Sequence, residues 1–366
     1  MTTCITGTGS AASLAIVVGE VHDDPSFRRR LRDAVTSLRV GPPEDPSTMV
    51  GPLIGPPGDD LLRGLTQLEP GESWLVEPRP LDGRPPAEST RWSPGVRVGV
   101  RPGSWFHVTE CFGPVLGIVR ADDLDHAIEL QNGTGYGLTG GIHSLDDAEV
   151  ERWLERVEIG NAYVNRHITG AVVRRQPFGG WKRSSVGGGA KAGGPGYVAQ
   201  LARIVDREPP AALVEGEGRA TTEARVRDVW QRELAVDHDP SGLEAEANVL
   251  RHVPLRRVAV RHDGSTPAEL ELLRLIAGVT GIELEVSAAR DEPDGAFARR
   301  LAGAGRPVDR LRLLAPLDDD ARRALHEAGI PIDADPPVAE PAVELRRWVR
   351  EQAISRTLHR HGRLVG

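Results

Sequence analysis

The feature that most constrains this chain is a glycine-rich stretch near its centre, QPFGGWKRSS at residues 176–185, followed by KAGGP at 191–195. Glycine has no Cβ, so glycine clusters let a backbone turn tightly and approach a ligand or another segment closely. A second segment, TECFGPV at residues 109–115, combines a glutamate, an aromatic ring and a Gly-Pro turn. Together the two segments predict a site for a small molecule.

Composition excludes several classes of protein. A chain of 366 residues is long enough for two or three domains with buried cores. Its net charge of −8 argues against nucleic acid and anionic membranes as partners. Two cysteines, Cys4 and Cys111, indicate a reducing compartment rather than a disulfide framework. With no apolar run long enough to span a membrane and no signal-peptide pattern, we expect a soluble cytoplasmic protein.

Hydrophobic periodicity predicts an α/β fold in two parts. In the first part it predicts strands at 14–18, 73–78, 95–100, 115–120, 137–143 and 162–165, and helices at 26–38, 61–68, 124–132 and 146–157. After a linker at 207–210 it predicts strands at 257–261, 283–286, 310–314 and 331–332, and helices at 223–234, 267–277, 295–304, 319–328 and 343–356. Such alternation is typical of a parallel sheet covered by helices. No G-x-G-x-x-G follows these strands, so we expect a Rossmann-like domain at 205–366 without a dinucleotide fingerprint.

The two glycine-containing segments supply the candidate binding residues. The Glu110 carboxylate suits a pair of ribose hydroxyls, with the Phe112 ring as a wall; the alternative is a solvated glutamate in a loop. The Phe178 ring suits the wall of a substrate tunnel, or it is a core aromatic below a turn. Ser184 and the glycines up to Gly189 suit a carboxylate, which backbone N–H groups would bind as in an anion nest. The alternative there is a flexible loop.

Other polar residues in these segments have simpler interpretations. Lys191 would add positive charge to the carboxylate site. Asn161 and Asn165 flank a short strand and favour a structural role. His107 and His167 have no second histidine or carboxylate at metal-ligand spacing, so we expect no metal site.

Several motifs, in this order and spacing, resemble the C-terminal half of an aldehyde dehydrogenase. They are ECFGPV (110–115), GNAYVN (160–165) and QPFGG (176–180). The resemblance narrows to 1-pyrroline-5-carboxylate dehydrogenase, especially the form fused in bifunctional proline utilization A proteins, on further motifs: SAASL (10–14), GPLI (51–54), TGA (169–171) and KAGGP (191–195). It covers residues 9–200. The tail more weakly resembles the extra Rossmann-like domain of some of these proteins, through EAEANVL at 244–250.

The resemblance implies an incomplete aldehyde dehydrogenase catalytic domain at 1–204, followed by the Rossmann-like domain at 205–366. The implied activity is NAD-dependent oxidation of L-glutamate γ-semialdehyde to L-glutamate in proline catabolism, with a small aldehyde as substrate. In that family a cysteine thiolate attacks the aldehyde, hydride passes to NAD, and an activated water hydrolyses the thioester. The family roles fall on the residues as follows. Glu110 would bind the nicotinamide ribose, Phe112 would flank the nicotinamide, Phe178 would join the aromatic wall, and Ser184, Gly187 and Gly188 would anchor the substrate α-carboxylate.

The chain departs from the family at the nucleophile. The family cysteine immediately precedes the segment that matches residues 10–12, and here that position is Gly9. Cys4 lies too early, and Cys111 lies inside the cofactor segment, where a packed thiol is expected. The family's cofactor domain, general-base glutamate and oxyanion asparagine precede the cysteine, and we expect them to be missing.

These departures leave three alternatives open. The first is an active oxidoreductase. The second is an inactive fragment or assembly module, possible as a homo-oligomer through a late hairpin strand near Tyr197–Val205. The third is half of a split enzyme completed by another chain. We expect the chain alone to be inactive.

Overall fold

The chain divides into two compact units, Met1–Gly170 and Ala171–Gly366. The computed structural model describes residues 11–169, 171–173, 175–185, 187–205, 216–303, 308–360 and 363–364. Cys4, Gly9 and the predicted linker at 207–210 lie outside these residues. The division differs from the boundary predicted at 204/205, because the glycine-rich segment belongs to the second unit. We therefore treat the units separately.

The first unit is a mixed α/β unit. Its elements are β1 (Leu14–Val18), a 3-10 turn (Gly19–His22), α1 (Pro25–Thr36), α2 (Asp59–Thr66), β2 (Ser73–Val76), β3 (Gly95–Val100), α3 (Trp105–Val108), β4 (Val115–Ala121), α4 (Leu124–Asn132), β5 (Tyr136–Gly137), β6 (Thr139–Ile142), α5 (Asp147–Arg156) and β7 (Asn161–Val164). Three helices begin with an aspartate whose side chain accepts a backbone N–H, and these N-caps are Asp24 for α1, Asp123 for α4 and Asp146 for α5.

The main sheet of the first unit has the order β1-β4-β3-β2. Strands β1 and β3 are parallel to β4, while β2 runs antiparallel to β3. The register of β3 shifts at Gly99, which has a φ of +82° and packs directly on the Gly71 carbonyl. A Cβ at Gly99 would lie 2.4 Å from that oxygen, so only glycine fits this bulge. A separate parallel pair joins β6 and β7.

A buried ion pair lies within the core of the first unit. Arg97 on β3 is fully buried, and its guanidinium donates to the Glu72 carboxylate over 3.1 Å and to the Gly64 carbonyl over 2.9 Å. The guanidinium also lies over the rings of Trp74 and Phe106, at 5.0 and 4.2 Å from their centroids. Burial lowers the pKa of Arg97, and the nearby Glu72 opposes that shift. The pair therefore connects β3, α2 and the loop before β2.

The second unit contains the C-terminal α/β fold and the glycine-rich segment. Its elements are β8 (Trp181–Lys182), a 3-10 turn (Ala199–Leu201), α6 (Gly216–Val229) with a π-helical turn (Trp230–Leu234), β9 (Glu246–Pro254), β10 (Arg257–His262), α7 (Pro267–Thr280), β11 (Glu283–Ala288), α8 (Asp294–Ala302), β12 (Arg310–Leu313), α9 (Asp319–Glu327), β13 (Ile332–Asp333), α10 (Pro341–Glu344), a 3-10 turn (Leu345–Trp348), β14 (Val349–Thr357), β15 (His359–Arg360) and β16 (Arg363–Leu364).

The predicted parallel sheet is confirmed. Its order is β11-β10-β12-β13, and every neighbouring pair is parallel. One apolar cluster packs α7 against the sheet around Leu273 and Val260, and a second packs α8 and α9 around Phe297 and Leu325. Helices therefore pack on the sheet through these two apolar clusters, as the alternation of strands and helices predicts. Among the described residues, no helix combines the length and apolar character needed to cross a membrane.

Two local predictions in the second unit are wrong. Helical structure at the predicted 343–356 helix ends at Trp348, and β14 follows as a nine-residue strand antiparallel to β9. The Glu, Arg, Gln and Ala content of β14 favours a helix locally, but tertiary packing overrides that propensity. No strand forms at the predicted hairpin position 197–205, where the backbone instead forms turns and the 3-10 turn.

We predict that Arg97→Met lowers the free energy of unfolding by about 3–5 kcal/mol, because the Glu72 carboxylate is left buried without its partner. Arg79→Met is the matched control, since its pair with Glu77 is largely exposed, and its expected cost is below about 0.5 kcal/mol. Urea titration of both variants measures the difference. Equal stability of the two variants would contradict a structural role for the buried pair.

Candidate functional site

A cavity of about 500 Å³ in the first unit contains both predicted cofactor residues. Glu110 and Phe112 line it on one side, and the loop 52–58 together with the first turn of α2 lines the other. The Phe112 side chain is 44% exposed, so its ring is available to a ligand. The GPLI motif lies at the same wall, where the Leu53 N–H donates to the Thr90 carbonyl over 2.7 Å. The structure therefore brings two sequence-separated motifs to one cavity.

Local packing explains how Glu110 and Phe112 reach the cavity. Cys111 between them is buried, and its Sγ lies 3.6 Å from the Asp60 carbonyl. Its neighbours Glu110 and Phe112 are both exposed, and the Gly113 N–H donates to the Cys111 carbonyl over 2.7 Å, which turns the backbone tightly at Phe112. Gly113 follows, and a Cβ there would lie 2.5 Å from a Leu61 methyl carbon. Any larger residue at 113 would displace the Leu61 side chain of α2.

Cys111 is unsuited to act as a nucleophile. Burial raises the pKa of its thiol to about 12, although the nearby Arg97 opposes that shift. At neutral pH the thiol is therefore protonated, and a reactive cysteine needs the thiolate. No other cysteine lies among the described residues. The geometry agrees with the expectation of a packed thiol.

The predicted substrate residues lie on one loop of the second unit. We call residues 181–191 the glycine loop; Val186 within it lies outside the described residues. The loop is closed at its base by a pair of hydrogen bonds between Phe178 and Ala192, each 2.9 Å long. Phe178 is half-buried at this base. The loop therefore begins and ends at neighbouring points.

Glycines determine the shape of the loop. Gly187 and Gly189 have φ values of +65° and +79°, which L side chains rarely adopt. Gly180 packs on Ser184, whose Cβ would lie 2.4 Å from a Cβ at 180. Gly187 and Gly188 are exposed and have open space at their Cβ positions. The loop thus presents bare backbone at Gly187 and Gly188.

Lys191 lies buried at the base of the loop. Its side chain is only 1% exposed, and its ammonium donates to the Gly179 carbonyl. Burial lowers the pKa of Lys191 to about 7. The ammonium therefore stabilises the base of the loop, and its addition of positive charge to a carboxylate site stays a prediction.

Sequence analysis missed the residues of β12 and β14 that hold the glycine loop in place. Glu351 on β14 accepts the Lys191 N–H over 2.8 Å, and its carbonyl accepts the Trp181 indole N–H over 2.8 Å. Arg310 on β12 donates to the Gly188 carbonyl over 3.4 Å. No local pattern connects these positions, which lie far apart in the sequence and meet only through the fold. Only a correct prediction of β14 as a strand could have indicated that Glu351 lies near the loop.

The remaining polar candidates have structural contacts. The Asn165 amide pairs with the backbone of Ser144, and its own φ is +56°. His107 contacts the Gly103 N–H and the Leu130 carbonyl through its two ring nitrogens. Within the described part of the chain, no group of three or more His, Cys, Asp or Glu side chains is arranged to hold a metal ion.

Comparison with known proteins identifies relatives for both units. The sequence profile of the aldehyde dehydrogenase family matches residues 5–204. Relatives include the 1-pyrroline-5-carboxylate dehydrogenases of Geobacillus sp. (strain WCH70) and Bacillus subtilis (strain 168), which are 38% and 37% identical over 191 residues. These matches cover 52% of this chain and 35% of each relative, so the chain spans about a third of their length.

A solved structure is similar to nearly the whole chain. Proline utilization A from Corynebacterium freiburgense is 46% identical, with a TM-score of 0.83. The match covers 98% of this chain and 36% of that protein. The fold of the second unit, beyond the family profile, therefore also occurs in that protein.

We predict that Cys111 is protected from thiol reagents in the folded protein. In a Cys4→Ser variant, labelling of Cys111 at pH 8 should be at least about 100-fold slower than in urea, because burial blocks access and keeps the thiol protonated. Mass spectrometry of the labelled protein measures both rates. The Cys111→Ala variant, which retains only Cys4, gives the labelling rate of Cys4 for comparison. Rapid labelling of Cys111 in the folded protein would refute the packed-thiol interpretation.

Proposed function

This chain belongs to the aldehyde dehydrogenase family, and on that basis we propose that it supplies the substrate-anchoring and cofactor-ribose contacts of an NAD-dependent L-glutamate γ-semialdehyde dehydrogenase. The names of its relatives support this substrate. The proposed reaction belongs to proline catabolism, and the low cysteine count supports a cytoplasmic setting.

The glycine loop carries the proposal. Gly187 and Gly188 are exposed three and four residues after Ser184, and glycines at positive φ, such as Gly187 and Gly189, favour the concave backbone that binds anions. Arg310 below Gly188 contributes a buried positive charge near the loop. An amino-acid α-carboxylate is an anion of suitable size for such a site. The aldehyde end of the substrate would then extend away from the loop.

The cavity in the first unit supports the cofactor part of the proposal. The exposed Glu110 carboxylate offers two oxygens that accept hydrogen bonds from ribose hydroxyls. The adjoining Phe112 ring offers a flat apolar wall, as a nicotinamide requires. A volume of about 500 Å³ falls within the range of small-molecule sites. Bound NAD would accept the hydride; Glu110 and Phe112 would orient it.

The thiolate that forms the bond to the aldehyde is a separate requirement. The residue at the family's nucleophile position is Gly9, and the Cys111 thiol is buried with a raised pKa. We therefore propose that the cysteine is supplied from outside residues 1–366. An inactive fragment or assembly module is the alternative.

We predict that the glycine loop recognises the α-carboxylate. L-Glutamine retains that group and lacks a charged side chain, so it should bind; L-isoglutamine, with an α-carboxamide, should bind at least about 10-fold more weakly because hydrogen bonds to a charged acceptor are the stronger ones. Ligand-observed NMR titration of the full chain measures both affinities.

Two serine variants test the location of that binding. Ser184→Ala should weaken L-glutamine binding, whereas Ser265→Ala, an exposed serine after β10, should leave it unchanged. Equal binding of L-glutamine and L-isoglutamine, or equal affinity of the Ser184→Ala variant, would contradict the proposal.

We also predict that the chain alone forms no NADH from L-glutamate γ-semialdehyde and NAD. Turnover should appear only with a second polypeptide that carries a family-type cysteine, because the acyl-transfer step needs a thiolate. Absorbance of NADH measures turnover. Turnover by the chain alone, whether lost or retained in a Cys4→Ser, Cys111→Ser variant, would refute the expectation.

A further inference from the structure

We infer that Glu351 is a positioning residue, which fixes both ends of the glycine loop in the shape that exposes Gly187 and Gly188 and leaves Ser184 half-buried. The inference rests on the proposed function, since it assigns a role within the same carboxylate site. It adds that residues of the C-terminal strands, beyond the segment that matches the family profile, determine the shape of that site.

Glu351 contacts the two ends of the loop with different groups. Its backbone carbonyl accepts the Trp181 indole N–H, and its side-chain Oε2 accepts the Lys191 N–H, both over 2.8 Å and both buried. The Arg350 guanidinium also lies over the Trp181 ring, 5.6 Å from its centroid. A single strand residue therefore fixes the distance between positions 181 and 191.

The KAGGPG sequence allows the loop to approach the Glu351 carboxylate. A Cβ at Gly196 would lie 2.9 Å from Oε1 of Glu351, and a Cβ at Gly194 would lie 3.6 Å from Oε2. Any larger residue at 196 would displace the carboxylate. These glycines are thus explained by packing on β14 and need no direct contact with a ligand.

The surroundings of Glu351 act on its carboxylate in opposite directions. Glu351 is 7% exposed and pairs across the ladder with His252 on β9. Burial raises the pKa of Glu351, while its bond to Lys191 and the charges of Lys191 and Arg346 lower it. Burial has the opposite effect on the base His252: it lowers the pKa to about 4, so the His252 ring is neutral near pH 7. The carboxylate is therefore stabilised by Lys191 and Arg346.

Arg310 fixes the middle of the loop from the parallel sheet. Its guanidinium donates to the carbonyls of Gly188 and Arg347. In a trans peptide the carbonyl and the following N–H point in opposite directions. Directing the Gly188 carbonyl toward Arg310 therefore directs the Gly189 N–H away from it. Strands β12 and β14 together orient the loop.

Limited trypsin digestion of the full chain tests the inference, because Lys182 and the exposed Arg183 lie in the loop. Glu351→Ala should increase cleavage at these positions at least about 10-fold and weaken L-glutamine binding similarly. Glu351→Gln, which retains an acceptor oxygen, should restore most of both. Trp181→Phe removes the indole N–H together with part of the buried ring but keeps the bond between Glu351 and Lys191, so it should increase cleavage less.

Glu344→Ala is the matched control. Glu344 is also buried in the same unit, at 0% exposed against 7% for Glu351, and it pairs with Arg312 on β12 rather than with a residue of the glycine loop. When Glu344→Ala and Glu351→Ala are compared under conditions that give them the same free energy of unfolding, Glu344→Ala should leave cleavage of the glycine loop unchanged. Equal loop cleavage in the Glu344→Ala and Glu351→Ala variants would overturn the inference, as would unchanged L-glutamine binding in Glu351→Ala.

The two proposals fail separately in this experiment. If the unmodified chain does not bind L-glutamine, the proposed function fails. Loop cleavage, which needs no ligand, still confirms or overturns the role of Glu351.

Discussion

The close packing of the glycine-rich segment on β14 determines how the second unit is built. Gly194 and Gly196 lie directly against the Glu351 carboxylate, and the Lys191 N–H and Trp181 indole complete the contact. Upstream, the Gln176 amide donates to Ser355 over 2.8 Å and to Asn248 over 3.2 Å, so the same segment contacts both β14 and β9. These contacts explain why residues 171–204, which match the family profile, fold within the C-terminal unit.

Buried charge has a similar function in both units. Arg97 in the first unit and Arg312 in the second are fully buried, and each guanidinium contacts a buried carboxylate, Glu72 and Glu344 respectively. Such pairs add little net stability over apolar residues, but removal of one partner is costly. They therefore specify one arrangement of neighbouring elements, and in the second unit Glu344 also accepts the Trp348 indole N–H before β14 begins.

The sequence predicted elements whose apolar pattern is local, and it failed where distant partners decide. Helix α5 and strand β10 follow their patterns, because each buries one clear apolar face or run. Strand β14 has no such pattern: Glu351, Gln352 and Ser355 are buried and satisfied by distant partners. For the same reason, the motifs located the glycine loop and the Glu110 segment, but they gave no indication of Glu351 or Arg310.

Binding and bond formation place different demands on a site, and the proposed function separates the two. A carboxylate site needs rigid backbone N–H groups, which packing on β12 and β14 can provide from within one folded unit. A nucleophilic cysteine needs an accessible thiol with a lowered pKa, and the environment of Cys111 does the reverse. Because Cys111 fills the space between Gly64 and the Glu110 segment, making it reactive would disturb the cavity that positions Glu110 and Phe112. Burial of Cys111 is therefore compatible with the proposed cofactor site and incompatible with a role for this thiol as the nucleophile.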